Sequence, residues 1–237
     1  MSYLETQGQC PICDAATTFV AQTSWLRDDF LCRTCGSIPR ERALMVAIAR
    51  FLPDWPSRRI HEASPTGRGA SAKLAKQAAG YSSSQFYPER APGTVTGGRE
   101  RNEDLERLAF DNEAFDLFVT QDVMEHVFDP DRAFAEIARV LRPGGMHVFT
   151  TPLVNRHQPS EQRARRAPDG SIEYLSLPEY HSNPVDPKGA LVTFNWGYDI
   201  VHRIYRVSGL VSTMVLIDDL SLGIRAEYLE VLVSARV

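Results

Sequence analysis

Four cysteines, all within the first 35 residues of a 237-residue chain, constrain this protein more than any other feature. They stand as Cys10-Pro-Ile-Cys13 and Cys32-Arg-Thr-Cys35, two C-x2-C pairs with 18 residues between them. Each pair places two thiolates on one tight turn, and two such turns brought together offer the tetrahedral S4 shell that Zn2+ prefers. Four reduced cysteines packed as small hydrophobes would need no paired spacing, and disulfides do not persist in a reducing compartment. Residues 1–37 therefore read as a zinc ribbon whose metal is structural, because four protein ligands close the shell. Basic residues near the ribbon are few, namely Arg27, Arg33, Arg40 and Arg42, which favours packing over docking as its role.

At roughly 150 residues per domain, the length leaves room for one catalytic-size domain beside the ribbon. Twenty-six basic against 30 acidic residues give a net charge of −4, which removes whole-surface attraction to nucleic acid or anionic membrane. The first residues, MSYLETQGQC, have no basic or apolar leader region, and no stretch approaches the roughly 18 consecutive apolar residues of a membrane span. The expectation is a cytoplasmic protein.

Residues 38–57 predict a linking helix that begins near Pro39 and ends before Pro53. Residues 58–237 form the main domain. Arg59 to Ser64 predicts a first strand, Pro65 to Gly69 a turn, Ala70 to Ala79 a helix, Tyr81 to Tyr87 a second strand, and Pro88 to Gly98 a loop. Phe115 to Gln121 is a near-continuous apolar run of the kind a doubly covered parallel strand shows. Asp129-Pro130-Asp131 starts the next helix, Pro143-Gly144-Gly145 ends it, and Met146 to Thr151 is the following strand. Strand, helix, glycine turn and strand in this order imply right-handed crossovers in an open α/β sheet.

Several linked motifs carry a resemblance. Glu103-Asp104-Leu105, Phe115-Asp116-Leu117, Gln121 to Val127 and Ala138 to Gly145 resemble the central motifs of class I S-adenosylmethionine-dependent methyltransferases. The resemblance runs from about Arg58 to the C-terminus, where Glu227 to Ser234 is similar to the family's terminal antiparallel strand. It implies a Rossmann-like seven-stranded sheet, last strand antiparallel, preceded by the small zinc ribbon. A ribbon ahead of such a domain also resembles a bacterial subgroup of these enzymes.

The resemblance further implies S-adenosylmethionine as cofactor and assigns its contacts. Glu62 matches the acid ending the first strand, and Ser64, Gly67 and Gly69 match the turn that admits the cofactor to the backbone. Asp104 and Leu105 match the acidic-apolar pair at the adenine edge, and Gln121 and Asp122 lie beneath the sulfonium and the substrate. Two departures stand out. Glu62 to Gly69 is poorer in glycine than the family motif, and Gln85 occupies the position of the acid that grips the ribose, so Glu89 becomes an alternative partner.

Methyl transfer asks the protein for alignment, desolvation and removal of a proton from the nucleophile. His126 is the first candidate base and His147 reads as a residue of the sheet. The 43 residues from Pro152 to Phe194 exceed the minimal fold, and this insertion (about 152–194) is the candidate substrate lid. It carries Arg156, Arg163, Arg165 and Arg166 against Glu161, a set suited to a phosphate or sugar carboxylate, with Tyr180 and His181 as further catalytic candidates. Asp199 and His202 lie at the helix beyond it. The expected reaction is transfer to an oxygen or nitrogen of a small polar acceptor, by analogy a sugar, glycan precursor or natural product. The alternatives are an RNA or protein methyltransferase that docks through the ribbon, against which the modest basic charge argues, and a non-catalytic ribbon on an inactive scaffold. Oligomeric state is left open.

Overall fold

The computed structural model describes residues 2–182 and 187–237. Strands β1 (Leu4–Gln9), β2 (Ala16–Ala21) and β3 (Leu31–Cys32) make a small antiparallel sheet, with a single helical turn, α1 (Leu26–Asp29), between the last two. Helix α2 (Pro39–Phe51) follows, with proline at its first position and the Ile38 N–H donating to Glu41 Oε2 at 3.0 Å.

The main sheet is built from β4 (Arg59–Ala63), β5 (Gly80–Gln85), β6 (Val95–Gly97), β7 (Glu100–Asn102), β8 (Phe115–Gln121), β9 (Leu141–Thr150), β16 (Val211–Val215) and β17 (Val231–Ala235). Its order is β16-β17-β9-β8-β4-β5-β7-β6. The five strands β7, β5, β4, β8 and β9 run parallel, and β17 is antiparallel to both of its neighbours. Seven of these strands match the expected sheet. The eighth, β6, pairs antiparallel with β7 inside the stretch read as loop. Three residues ending at Gly97 and Gly98 are too short to show an alternating pattern.

Helices α3 (Gly69–Gln77), α4 (Pro130–Val140) and α5 (Ile200–Ser208) complete the layers. One apolar core joins Leu44 and Ile48 of α2 to Leu74 of α3 and to Ile60, Val119 and Val231 of the sheet. A second packs Phe134 and Ile137 of α4 and Ile200 and Ile204 of α5 against Phe118, Phe149 and Leu232 on the opposite face. Leu232 lies between Val231 and Val233, which face the first core, so the pleat alone sorts the two layers.

The ribbon shares the first core through Phe19 and Phe30. Arg42 pins it there: its wholly buried guanidinium donates to the Phe30 carbonyl at 2.7 Å and twice to the Gly223 carbonyl, and lies 4.8 Å over the Phe19 ring. Gly8 tolerates no side chain, since a Cβ there would stand 1.8 Å from the Ser221 carbonyl oxygen.

Between β9 and α5 the insertion forms three short two-stranded ladders. They pair β10 (Glu161–Gln162) with β15 (Phe194–Asn195), β11 (Ala164–Arg166) with β12 (Ile172–Tyr174), and β13 (Tyr180–His181) with β14 (Ala190–Leu191). Part of the proposed lid, including Asn183 and Pro184, lies outside the described residues. Among the described residues no helix is long and apolar enough to cross a membrane.

Candidate active site

The carboxyl ends of β4, β5 and β8 meet at one edge of the sheet, the position where open α/β sheets bind ligands. Two residues there turn the backbone sharply. Ser64 after β4 and Asp122 after β8 have φ of 56° and 51°, a conformation uncommon outside glycine and often found at functional sites. Their backbones are held in place: the Ser64 N–H donates to the Ser84 carbonyl at 2.7 Å and the Asp122 N–H to the Thr150 carbonyl at 2.9 Å. The strand ends splay around a cleft of about 860 Å³, a size typical of small-molecule sites.

Ser64, Gln85, Asp104, Leu105, Gln121 and Asp122 all line this cleft, so six of the nine assigned cofactor positions converge. Glu62, Gly67 and Gly69 do not. Glu62 is fully buried and its carboxylate is saturated, accepting from Ser71 at 2.6 Å, Tyr81 at 2.8 Å and the Gln121 side-chain amide at 2.8 Å. Burial raises its pKa, against those three hydrogen bonds. Its role is to tie the first strand to α3 and to orient Gln121 rather than to meet a ligand. Glu89 is exposed beside Arg90 and is not part of the lining. Gln121 keeps one buried amide oxygen without a hydrogen-bond partner among the described residues. That oxygen at the cleft edge fits a ligand that brings a donor, such as the ammonium of a bound methionine moiety.

Asp122 receives an unanticipated pair of partners. Arg27 of α1 donates to its carboxylate at 2.7 Å and Arg40 of α2 forms a second ion pair with it. Burial opposes ionisation of Asp122, but the Arg40 and Arg27 charges outweigh it and hold its carboxyl below the usual range. Arg27 also donates to the Glu227 and Tyr228 carbonyls. Trp25, Arg27, Asp28 and Arg40 all line the cleft. The ribbon and linking helix thus form one wall of the site, which sequence reading missed because their arginines lie far from the sheet motifs in the chain.

Beyond Asp122 the cleft ends in Glu125, His126 and His181. The His126 Nδ1 lies 2.9 Å from the Leu191 carbonyl, which can only accept, so this nitrogen carries the proton and Nε2 keeps a free lone pair. Burial keeps His126 neutral by lowering its pKa. The His126 and His181 rings stand edge to face at 5.2 Å. The insertion is anchored here, since the Thr193 and Phe194 N–H groups both donate to the Glu125 carbonyl.

Other expected contacts do not form. Tyr180 is exposed, its hydroxyl 3.4 Å from that of Tyr174, and it is not among the cleft-lining residues. Of the four lid arginines only Arg166 reaches the cleft, over the Phe128 ring at 4.4 Å. Arg156 pairs with Glu227, Arg163 with Glu179 and Arg165 with Glu173, so they do not converge on an anion. Asp199 accepts from Ser160. His147 is buried within the sheet, 3.0 Å from the Thr120 hydroxyl.

Within the N-terminal segment the four cysteine sulfurs gather. Cys10 and Cys35 Sγ are 3.8 Å apart, Cys13 and Cys32 Sγ 4.0 Å, and all four lie within 4.8 Å of one another. A tetrahedron with zinc–sulfur bonds of about 2.3 Å has edges of about 3.8 Å. The cysteines fit that ion.

Residues 67–149 match a family model described as a methyltransferase domain. Over 102 residues the chain is 32% identical to the ubiquinone biosynthesis O-methyltransferase of Sinorhizobium fredii, a match spanning 39% of this chain and only 40% of that protein's length. An S-adenosylmethionine-dependent methyltransferase from Mesorhizobium loti superposes with a TM-score of 0.53 at 20% identity, covering 82% of this chain and 98% of the other. CalS10, an amino pentose methyltransferase of calicheamicin biosynthesis from Micromonospora echinaspora solved with its cofactor bound, gives 0.53 at 16% identity over 85% and 93%. The main sheet and its helices therefore have the fold that these methyltransferases share, and the cleft lies at the carboxyl edge of that sheet.

Proposed function

We propose that the protein transfers a methyl group from S-adenosylmethionine to an oxygen or nitrogen of a small polar acceptor, with a sugar, glycan precursor or natural product as the class. One observation carries this reading: a single open cleft runs from Gln85, Asp104 and Leu105 to His126 and His181, so cofactor and acceptor ends share one cavity. The likeness to an amino pentose methyltransferase and to a ubiquinone O-methyltransferase supports the acceptor class.

When bound, the cofactor supplies the electrophilic methyl group. Asp104 accepts a donor at the adenine edge, Gln85 faces the ribose hydroxyls and the Gln121 amide oxygen accepts from the methionine ammonium. Glu125, His126 and His181 activate the acceptor by drawing off its proton. The walls contributed by Trp25, Arg27 and Arg40 exclude water from the reacting centre. The four cysteines hold a structural Zn2+ that fixes the ribbon carrying Arg27. Arg27, Arg40 and Arg42 are all engaged within the chain, which leaves the ribbon little basic surface for RNA.

Asp104→Ala weakens cofactor affinity about tenfold or more while the melting temperature is unchanged, as lost hydrogen bonds to a charged group typically cost about 1.5–3 kcal/mol. Calorimetry with S-adenosylmethionine and its demethylated product measures it, and equal affinity removes Asp104 from the site. His126→Ala lowers turnover about a hundredfold with little change in cofactor affinity, the usual size of a lost acid–base group. Single-turnover methylation of an acceptor panel measures that split. Failure of the wild-type protein to bind either cofactor form overturns the reading as a whole.

A further inference from the structure

The acceptor end of the cleft holds an arrangement that proton transfer alone does not explain. Glu125 is buried to 2% exposure, and one of its carboxylate oxygens, Oε1, is buried without a hydrogen-bond partner. Two imidazole nitrogens face that oxygen, His126 Nε2 at 3.7 Å and His181 Nδ1 at 4.0 Å, and the three atoms lie within 4.8 Å of one another. These distances are too long for hydrogen bonds.

Each of the three side chains is also held from behind. The second oxygen of Glu125 accepts from the Thr151 hydroxyl at 2.9 Å. His126 gives its Nδ1 proton to the Leu191 carbonyl, and the far nitrogen of His181, Nε2, lies 3.6 Å from the Glu179 carboxylate. A carbonyl or carboxylate behind an imidazole is the outer support that metal-binding histidines almost always have. Asp122, another acid of the cleft, is occupied by Arg27, Arg40 and the Thr150 hydroxyl.

We propose that Glu125, His126 and His181 bind one divalent transition-metal ion, Zn2+ or a similar borderline cation, through Glu125 Oε1, His126 Nε2 and His181 Nδ1. Two imidazoles and a carboxylate suit such ions, whereas the all-sulfur shell of the ribbon suits softer ones, zinc among them. Metal–ligand bonds of about 2.0–2.1 Å put tetrahedral ligands about 3.4 Å apart, so closing the site needs shifts of a few tenths of an ångström to about one. His181, partly exposed on the short β13, is the ligand free to make the largest of them.

Three protein ligands leave a position open on the ion, facing the cleft. The acceptor class that follows is a hydroxyl compound, its oxygen bound to the cation. The ion lowers the proton affinity of that hydroxyl. Its O–H proton passes to water, the oxygen lone pair forms the new O–CH3 bond, and the S–CH3 bond breaks to leave a neutral thioether. With the ion present His126 orients it, and the ion takes over the activating role. This inference rests on the methyltransferase reading for its chemistry, but the metal site can be tested without it.

The test uses full-length protein purified with one Zn2+ per chain in the ribbon, titrated with Zn2+ by calorimetry and checked by elemental analysis. The wild type takes up a second equivalent. His181→Ala and His126→Ala bind it at least tenfold more weakly with melting temperatures preserved, while His202→Ala, which removes an exposed histidine elsewhere, binds it normally. Metal content that stays at one in the wild type overturns the site, as does a second equivalent retained by His181→Ala or lost in His202→Ala. Cofactor binding measured on the same samples separates the two ideas. Cofactor bound with one metal sinks the inference and leaves the methyltransferase reading, whereas two metals with no cofactor binding do the reverse.

Discussion

Cys32→Ser removes a ligand from the sulfur tetrahedron, lowers the melting temperature by ten degrees or more and abolishes methyl transfer. Cys32 is buried, and its thiol is held at about 6, whereas that of Cys13 is pushed up to about 12. Four sulfurs this close cannot all carry charge without a cation between them. Structural zinc in small modules contributes about 10–16 kcal/mol of apparent binding free energy, and most of it is folding free energy. Losing the ion releases Phe19 and Phe30 from the shared core and frees Arg42 from the Phe30 carbonyl. A loss above about 4 kcal/mol belongs to the metal-loss class, and each kcal/mol moves the midpoint of a protein this size by about 2–4 °C. Activity falls with stability because Arg27 leaves Asp122 and the cleft loses a wall. Melting curves and zinc content with and without chelator check the first half, and methylation at a temperature where the variant is folded checks the second. A variant that keeps its melting temperature and its activity removes the metal from the account.

The second large effect is acid destabilisation centred on two buried histidines. Burial lowers the pKa of both His61 and His147 from 6.5 to about 3, and for His61 the Arg101 charge adds to it. Each is neutral when folded, His61 between the Ser82 and Ser84 hydroxyls at 2.9 Å each, His147 beside Thr120. Because the folded values are depressed, these two side chains bind two more protons in the unfolded chain than in the native one between about pH 6 and 4. Stability is complete above the unfolded pKa and falls as pH drops toward the folded one. The histidines' share of the slope is about 1.36 kcal/mol each per pH unit, about 5 kcal/mol across those two units, and the buried carboxyls of Glu62 and Glu125, whose pKa burial raises, offset part of it. The depressed carboxyl of Asp122 adds its own loss only lower, below about pH 4. Denaturant unfolding at several pH values in excess Zn2+ measures the slope, and His147→Gln should lower it by about 1.4 kcal/mol per pH unit. A slope that His147→Gln leaves unchanged contradicts the burial of that ring.

The same burial explains why His147 and His126, alike in sequence, end in different roles. His147 sits in a strand covered on both faces, whereas His126 follows the turn at Asp122, where the sheet edge opens. Glu62 shows the converse. Its motif position pointed to the cofactor, but the pleat turned its side chain inward to Ser71, Tyr81 and Gln121. Tyr180 and His181 are neighbours whose side chains diverge because successive residues of a strand face opposite ways. Only His181 reaches Glu125.

Local chemistry was enough to determine the helices α2 to α4 and the central strands, but not β6 or the ladders of the insertion. It lies in the cysteine spacing, proline at the start of α2 and α4, the apolar run of β8 and the glycines after α4. These signals act within a few residues, so they are written in the chain. The sheet order with its terminal antiparallel strand followed from linked motifs rather than from any one of them. Tertiary structure alone decided which side chains meet. Arg27 and Asp122 are 95 residues apart, and Glu125 and His181 stand 56 apart; they come together only because the ribbon folds over one side of the sheet edge and the lid over the other. Contacts closed over such loops leave no periodicity behind, and the same arginine reads as a docking charge or as a wall of the cleft until the packing places it.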